Sequence, residues 1–384
     1  VTTKRGLESK LKISGRANMT ISHLKRLPEY VNATQYAEMA NEASVATGLS
    51  PIYNKTEMDI IKYGLDPDLY PNIDWQDVIL NPNSFQQTYY VSAQGGSSVA
   101  RYFASLGMSK ESAAYNPSKD SKYNKGVGYD TYNYRLNLDI DLTKTTKVYI
   151  GTTGYMSVNT RPSMGEYSRG VSLTDWLWSS QAKTTPISYP LRYSNGYYPA
   201  AGTKDEISPY VLLNYTGNAR EQNTRNLVTL GITQDLSMIT PGLSAQVRVT
   251  YDNSADIADF RTKSYAYSIA TPVRDAAGNI SDLSYSRYGN DTEMSFASGL
   301  QAQVMRTYIW GKVNYERDFG KHHLDVAGIY SQGRRKYLGA NGTNAFRDYM
   351  AHLSYNYDNR YLADVVCSYS GSLKMPVGDK YRVY

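Results

Sequence analysis

The residues of this 384-residue sequence that could do chemistry are few and scattered. His322 and His323 are adjacent, and neighbouring side chains on a strand point to opposite faces, so the pair cannot chelate one ion. Asp139 and Asp141 share a face, as a Ca²⁺ site or a pair of acid/base carboxylates would. An acidic stripe that faces water is the simpler interpretation, because catalysis would need a partner tuned by burial. We therefore predict no catalytic residue and no metal site.

The remaining chemical signals are equally weak. Cys367 is the single cysteine, so no disulfide framework can form, and we expect a small, half-buried strand residue. Motifs of phosphate-binding loops, zinc proteases and serine hydrolases are absent, and we expect no cofactor. The 41 Lys+Arg and 35 Asp+Glu are not concentrated on one element, which argues against nucleic-acid binding.

Aromatic residues cluster in one long link between predicted strands, residues 161–222. Side chains of this kind on a loop could stack on sugar rings or grip a peptide. They could equally form the loop's own small core or contact a partner lid, which is the simpler interpretation because loops also need packing. The candidate ligand-binding residues are Trp176, Trp178, Tyr197 and Tyr198.

Strict alternation of apolar and polar residues indicates which elements carry these side chains. From Thr131 to Leu142 every even position is apolar and every odd position is polar. Leu243 to Tyr251 and Tyr349 to Asp358 repeat the pattern. Because successive strand side chains point to opposite faces, the pattern predicts about ten or eleven strands, each with one apolar and one polar face.

The links between the predicted strands alternate in length. We expect short links at 141–145, 240–242, 319–321 and 358–360, and long links at 109–126, 161–222, 261–300 and 332–346. Short turns at one end and long loops at the other are typical of a transmembrane β-barrel. The sequence therefore predicts an all-β, antiparallel transmembrane barrel that is partial, because so few strands leave it open.

A soluble sandwich or a lipocalin-like barrel would show the same alternation around an apolar core. Three features favour a barrel whose apolar face contacts lipid on the outside. The predicted strands are long, about 10–14 residues against ~5–6 in globular proteins. The polar face carries full charges, which suit a wet lumen. The strand ends carry aromatics such as Tyr251, Trp310 and Tyr315, which predict interfacial girdles, and 38 of the residues are Tyr.

Residues 29–64 interrupt the strand pattern. Tyr36, Met39, Ala40 and Ala43 lie at helical spacing and predict a helix from Glu29 to Thr47, ended by Gly48. A second short helix is expected over Lys55 to Lys62. We expect this helical insertion to pack on the rim or inside the mouth of the barrel.

Several stretches, taken together, resemble the SusC/RagA family of TonB-dependent outer-membrane transporters of Bacteroidetes. Residues 1–6 look like the closing strand of that family's plug domain. The resemblance continues in order through nearly the whole chain, with the long loops unmatched. The stretches that carry it are VTTKRG at 1–6, DPDLYPNIDW at 66–75, QQTYYVSAQGG at 86–96, VARYFASLG at 99–107, YNYRLNL at 132–138 and YSGSLKMPVGDKYRVY at 369–384.

The resemblance implies a fold and a division of the chain. The family's barrel has roughly 22 strands around a plug. Residues 1–9 would be the last plug strand, and residues 10–384 the N-terminal half of the barrel. Both ends of the sequence look like cuts through a longer chain, so the contact site for TonB and most of the plug would lie elsewhere.

The resemblance also implies a function and partners. The whole protein would import oligosaccharides or peptides across the Gram-negative outer membrane, with an SusD-like surface lipoprotein as its lid, TonB as its energy source and lipid around it. Two alternatives remain: a TonB-dependent siderophore or iron-chelate receptor, and a non-transporting β-rich surface or structural protein.

Overall fold

Within the described residues, twelve strands pair in one antiparallel sheet, and each is hydrogen-bonded to the strands of this sheet that precede and follow it in the chain. The computed structural model describes residues 4–123, 126–163, 184–200, 208–276, 278–339, 343–376 and 380–383. The strands of the sheet are β1 (Ser9–His23), β2 (Asn83–Gly96), β3 (Ala100–Ser112), β4 (Gly128–Asp141), β5 (Thr146–Pro162), β7 (Gly217–Asp235), β8 (Leu243–Thr262), β11 (Ser295–Phe319), β12 (His322–Tyr337), β13 (Thr343–Tyr357), β14 (Tyr361–Ser372) and β15 (Tyr381–Val383).

The antiparallel all-β fold is confirmed, with one or two strands more than the sequence predicts. Several strands are longer than the predicted 10–14 residues: β8 has 20 residues and β11 has 25. Because β12 and β13 extend further, the link expected at 332–346 shrinks to 338–342. Among the described residues β1 and β15 do not pair with each other, so the sheet is open, as a partial barrel requires.

The links alternate between the two ends of the sheet. One end carries 97–99, 142–145, 236–242, 320–321 and 358–360. The last of these is a tight turn in which Asp358 and Asn359 both have positive φ, 50° and 53°. The opposite end carries 24–82, 113–127, 163–216, 263–294, 338–342 and 373–380. The helical insertion is therefore the first of the long links and not an exception to their order.

The two faces of the sheet differ in chemistry along the whole register. Leu106, Tyr134 and Gly154 pair across β3, β4 and β5 on one face, here called the apolar face. Asn137 and Asp139 lie on the opposite, polar face. Burial is inverted relative to a soluble protein: on β8, Val247 is 50% exposed whereas Asp252 is 6% exposed. An apolar outer face of this extent is stable in lipid and not in water.

One aromatic residue lies on the other face from the one expected. Tyr251 and Tyr315 lie on the apolar face, but Trp310 pairs with Arg248 on the polar face. The alternation of β11 explains this, because Trp310 is in phase with Lys312 and out of phase with Ile309. Trp310 is therefore not part of an interfacial girdle.

The helices begin at side-chain caps. Helix α1 (Ala33–Ala46) starts after Asn32, whose side chain and that of Gln35 form a capping box, so the helix begins later than the expected Glu29. Helix α2 (Lys55–Tyr63) begins at the predicted residue and is capped by Asn54. The short helices α3 (Trp75–Ile79) and α4 (Pro209–Asn214) were not predicted. None of the described helices is long and apolar enough to cross a bilayer.

A second, small sheet lies within the long links. Strands β9 (Tyr267–Arg274) and β10 (Ile280–Tyr288) form an antiparallel hairpin, and β6 (Tyr198–Pro199) pairs parallel to β9. This sheet joins two links that are far apart in sequence.

Candidate ligand-binding surface

The long links fold together into a layer at one end of the sheet. This layer, here called the cap, comprises residues 24–82, 184–200, 208–216, 263–276 and 278–294. Three small cores hold it together: the first is built on Trp75, Ile79, Leu80, Tyr189 and Leu213, the second on Ala33, Ala37, Ile61 and Ile187, and the third on Val211 and Leu212. The first two cores each join link 24–82 to link 163–216. The cap is thus packed as a unit, which gives its surface a fixed shape.

Hydrogen bonds to Asp68 connect three links of the cap. The carboxylate of Asp68 accepts hydrogen bonds from the backbone N–H and the hydroxyl of Ser194, at 3.0 and 2.5 Å, and from the Tyr285 hydroxyl at 3.2 Å. Burial and the nearby Asp68 raise the pKa of Tyr285 to about 12, so the phenol keeps its proton and remains a donor.

Glu57 makes a second connection within the cap. Its carboxylate accepts from Arg274 Nη2 at 2.7 Å and from the Tyr70 hydroxyl at 2.9 Å. Burial raises the pKa of the Glu57 carboxyl, but hydrogen bonds from Asn54, Arg274 and Tyr70 outweigh burial, and its pKa is lowered overall. The charged form therefore holds α2 against the β9–β10 hairpin.

The aromatic candidates of the sequence have different surroundings in the structure. Tyr198 is half-buried, with its ring 5.2 Å from the rings of both Tyr215 and Tyr265. Tyr197 stays 40% exposed, and the Arg287 guanidinium lies 5.5 Å from its ring centroid. The structure thus places Tyr198 in the packing of the cap and Tyr197 at its surface. Trp176 and Trp178 lie outside the described residues.

A cleft of about 380 Å³ opens beside the start of α1. It is lined by Tyr30, Val31, Asn32, Tyr36, Asn72, Ile73, Asp74, Trp75, Thr184, Thr185 and Pro186. The Trp75 Nε1 donates to the backbone carbonyl of Thr185 at 3.2 Å and fixes the two sides of the cleft. Aromatic faces beside amide and carboxylate groups suit sugar rings and peptides alike. Sequence reasoning missed this cleft because its two sides are 110 residues apart.

The polar face of the sheet carries paired charges. Asp139 is bridged by Arg5 at 3.3 Å and Asp141 by Arg101 at 2.7 Å, so both carboxylates of the predicted stripe are neutralised. Asp252 accepts from both Arg225 and Arg306, at 2.7 and 3.2 Å.

His322 and His323 do face opposite ways, as predicted. The His322 ring lies against the Tyr355 hydroxyl, whereas His323 lies against the Asp318 carboxylate, at 2.6 and 2.7 Å. Within the described parts of the chain, no group of three His, Cys, Asp or Glu side chains could hold a metal ion.

Comparison with known proteins gives a relative that matches part of the chain and solved structures of similar fold. No protein-family model matches the sequence. TonB-dependent receptor P26 of Formosa agariphila is 27% identical over 150 residues, which are 38% of this chain and 13% of that receptor. The structure of the RagAB peptide importer in its closed-closed state matches 99% of this chain, and the match covers 44% of the importer's chain. The TM-score is 0.67 and the sequence identity is 15%. The importer's open-open state gives a TM-score of 0.66 and 14% identity.

This chain therefore spans less than half of the solved chains it matches. At such low identity the likeness establishes the fold, which the strand order, the inverted faces and the alternation of links describe independently. The resemblance predicted from the sequence is confirmed at that level: the chain has the fold of part of the wall of an outer-membrane β-barrel of the TonB-dependent receptor type.

Proposed function

We propose that this chain forms the first half of the wall of a TonB-dependent importer that takes up oligosaccharides or peptides. The observation that carries the proposal is the combination of an apolar face fit for lipid, a charged inner face, and a folded cap over one end only. An SusD-like lipoprotein would close over the cap, and TonB would supply energy through a plug.

The path of residues 4–8 supports the division into plug and wall. Asn137 Nδ2 on the polar face donates to the Lys4 carbonyl, and Arg5 bridges Asp139. Gly6 lies so close to the backbone of β3 that any side chain there would overlap Tyr102. The chain therefore reaches β1 along the polar face, as expected for residues 1–9 leading out of a domain inside the barrel.

The cap cleft is our proposed site of first contact with substrate. The rings of Tyr30 and Tyr36 at its mouth would stack on a sugar or a peptide side chain. Tyr197 is exposed on the same cap and is proposed as a further contact with substrate. Trp176, Trp178 and Tyr198 of the same link stay predictions from the sequence.

The test is uptake by the source bacterium carrying a deletion of the gene, complemented with the full-length protein. Accumulation of labelled oligosaccharide or peptide pools should be restored by the wild-type gene and abolished when TonB is inactivated. Uptake of either pool that survives loss of TonB would contradict the proposal. A defect confined to iron-chelate uptake would favour the siderophore receptor instead.

A pair of variants tests the cleft within the same assay. Tyr30→Ala removes a half-exposed ring at the mouth and should raise the KM for uptake roughly threefold to tenfold. Tyr63→Ala removes a more exposed ring on α2 that does not line the cleft, and should leave KM unchanged. Equal effects of the two variants would remove the cleft from the proposed path.

A further inference from the structure

The apolar face of β12 and β13 changes character toward the end of the sheet that carries the cap. On β12 the residues of this face are, in order toward that end, Leu324, Val326, Gly328, Tyr330, Gln332, Arg334 and Lys336. On β13 they are Tyr357, Tyr355, Leu353, Ala351, Tyr349, Arg347, Ala345 and Thr343. Both strands thus pass from apolar residues through a tyrosine to a positively charged side chain.

The spacing places these cations at the boundary of the bilayer. A strand rises about 3.3 Å per residue, and a tilt of about 40° leaves roughly 2.5 Å per residue along the membrane normal. Arg334 follows Leu324 by ten residues, and Arg347 precedes Tyr357 by ten. Each therefore lies roughly 25 Å from the far edge of the apolar band, which is about the height of that band in outer-membrane barrels. Lys336 lies roughly 5 Å further out.

Two tyrosines mark the same boundary from the apolar side. The rings of Tyr330 and Tyr349 are 5.3 Å apart between centroids. Aromatic residues at this height form the girdle of an outer-membrane barrel, where the hydrocarbon meets the headgroups. The cations that follow them lie at the height of the headgroups, at the end that carries the long links and is extracellular in such barrels.

The three cations, here called the basic patch, have no carboxylate partner. Arg334, Lys336 and Arg347 are exposed and form no ion pair with any carboxylate that the structure describes. Their register partners on the neighbouring strands are all uncharged: Thr307, Ala345, Met305, Thr343, Gln332 and Gly371. The basic patch is therefore a local excess of positive charge next to a lipid-facing surface.

This arrangement differs from other cations near the same end of the apolar face. Lys110 lies opposite Asp130, and Arg220 lies 3.7 Å from Asp259. A plug would not reach the basic patch, because a plug fills the inside of a barrel and the patch lies on its outside. Further wall strands would not cover it either, because β11 and β14 already flank it. The patch therefore faces whatever surrounds the barrel.

We propose that the basic patch binds the phosphate groups of glycolipid in the outer leaflet of the outer membrane. Arg334 and Arg347 are diagonal neighbours across β12 and β13, about 7–8 Å apart, within reach of one headgroup for side chains of this length. Each guanidinium can donate two parallel hydrogen bonds to a phosphate, and Lys336 adds a third positive charge. The tyrosines and apolar residues beside the patch would contact the acyl chains of the same molecule.

The test is native mass spectrometry of the full-length protein, delipidated in a neutral detergent. Lipid A that carries two phosphates is offered in competition with the same lipid A after removal of its phosphates. Wild type should retain the phosphorylated lipid in preference by about tenfold or more. The variant that combines Arg334→Gln, Lys336→Gln and Arg347→Gln should retain the two lipids about equally, because only the charge of the headgroup distinguishes them.

A matched variant controls for the loss of three positive charges. Lys12→Gln, Arg16→Gln and Arg335→Gln together remove three cations from the polar face and should leave the preference unchanged. Arg334→Lys combined with Arg347→Lys keeps the charge but loses the planar forks, and should fall between wild type and the triple patch variant. Heat-dependent gel mobility confirms that each variant is folded.

Several results would overturn the proposal. They are equal retention of both lipids by wild type, or the same loss of preference in the patch variant and in the matched control. Displacement of lipid A by inorganic phosphate at the same concentration would indicate a site for soluble phosphate instead. A patch variant that keeps its lipid preference but changes the number of copies in each particle would make the patch an interface between copies. All of these results leave import untouched, because the uptake assay measures import separately.

Discussion

Glu57 and Arg274, which are 217 residues apart, meet at 2.7 Å and join the first long link of the cap to the β9–β10 hairpin. The Glu57 side chain is 4% exposed, whereas that of Arg274 is 44% exposed. A carboxylate this deeply placed needs its partners, since an unpaired buried charge is strongly unfavourable. The contact therefore makes the cap one structural unit.

Replacing Glu57 by Gln should loosen the cap without unfolding the sheet. The variant loses the ion pair and leaves Arg274 unneutralised; because Arg274 is partly solvated, we expect a loss of about 1–3 kcal/mol in local stability. Hydrogen exchange should speed up in α2 and in β9–β10 and stay slow in β11 and β12. Glu221→Gln, which removes a more exposed ion pair with Arg161 at 2.6 Å, is the control and should change exchange in the cap little. Equal loosening by both variants would show that Glu57 has no special role.

The same carboxyl predicts how the cap responds to pH. The pKa of Glu57 in the folded cap lies below its ordinary value of 4.5. Its contribution to stability is therefore complete above about pH 4.5 and is lost as the pH falls through the lowered pKa. Near-ultraviolet circular dichroism of the cap tyrosines should show a transition in that acidic range. In Glu57→Gln the transition should be smaller, and an unchanged transition would assign it to other groups.

On the apolar face, the ring of Tyr134 lies directly over Gly154, and its hydroxyl donates to Asn226 at 3.1 Å. Gly154→Ala would place a Cβ that overlaps the Tyr134 ring and should destabilise the protein by about 1–3 kcal/mol. Gly328→Ala, on the same face with open space around it, should be close to neutral. Urea unfolding in lipid vesicles measures both. Adding Tyr134→Ala to Gly154→Ala should remove most of the extra cost, because the two residues are coupled.

The two faces of β8 should differ in their tolerance of charge. Val249→Lys puts an ammonium group on the lipid side and should cost about 2–4 kcal/mol if it lies near the bilayer midplane. Thr250→Lys adds the same charge to the polar face, opposite the uncharged Tyr308 and Thr229, and should be almost neutral. Similar losses in vesicle unfolding would contradict the assignment of the faces.

Much of the wall could be predicted from the sequence. Alternation is a local signal, so residues such as Leu136 and Asn137 identify their own faces without knowledge of the rest of the fold. The order of short and long links could also be predicted from the sequence. The position of Trp310 was also available from the phase of β11, and it was missed because an aromatic near a strand end suggested a girdle.

The cap could not be predicted in the same way. The pairing of Tyr198 with Tyr267, the contact of Asp68 with Ser194 and the pair of Glu57 with Arg274 join links separated by many residues. No periodic pattern marks these contacts, because each depends on how separate loops fold over one end of the sheet.

The central claim is that the apolar face of this sheet meets lipid and the polar face meets water. Spin labels attached to single cysteines at Gln246, Val247, Val249 and Thr250 of β8 test it most directly, in the full-length protein in bilayers with Cys367 replaced by Ser. We predict that labels at 247 and 249 collide with oxygen dissolved in the lipid, whereas labels at 246 and 250 collide with a water-soluble nickel complex. Equal access of the nickel complex to all four positions, or the reverse pattern, would contradict the account.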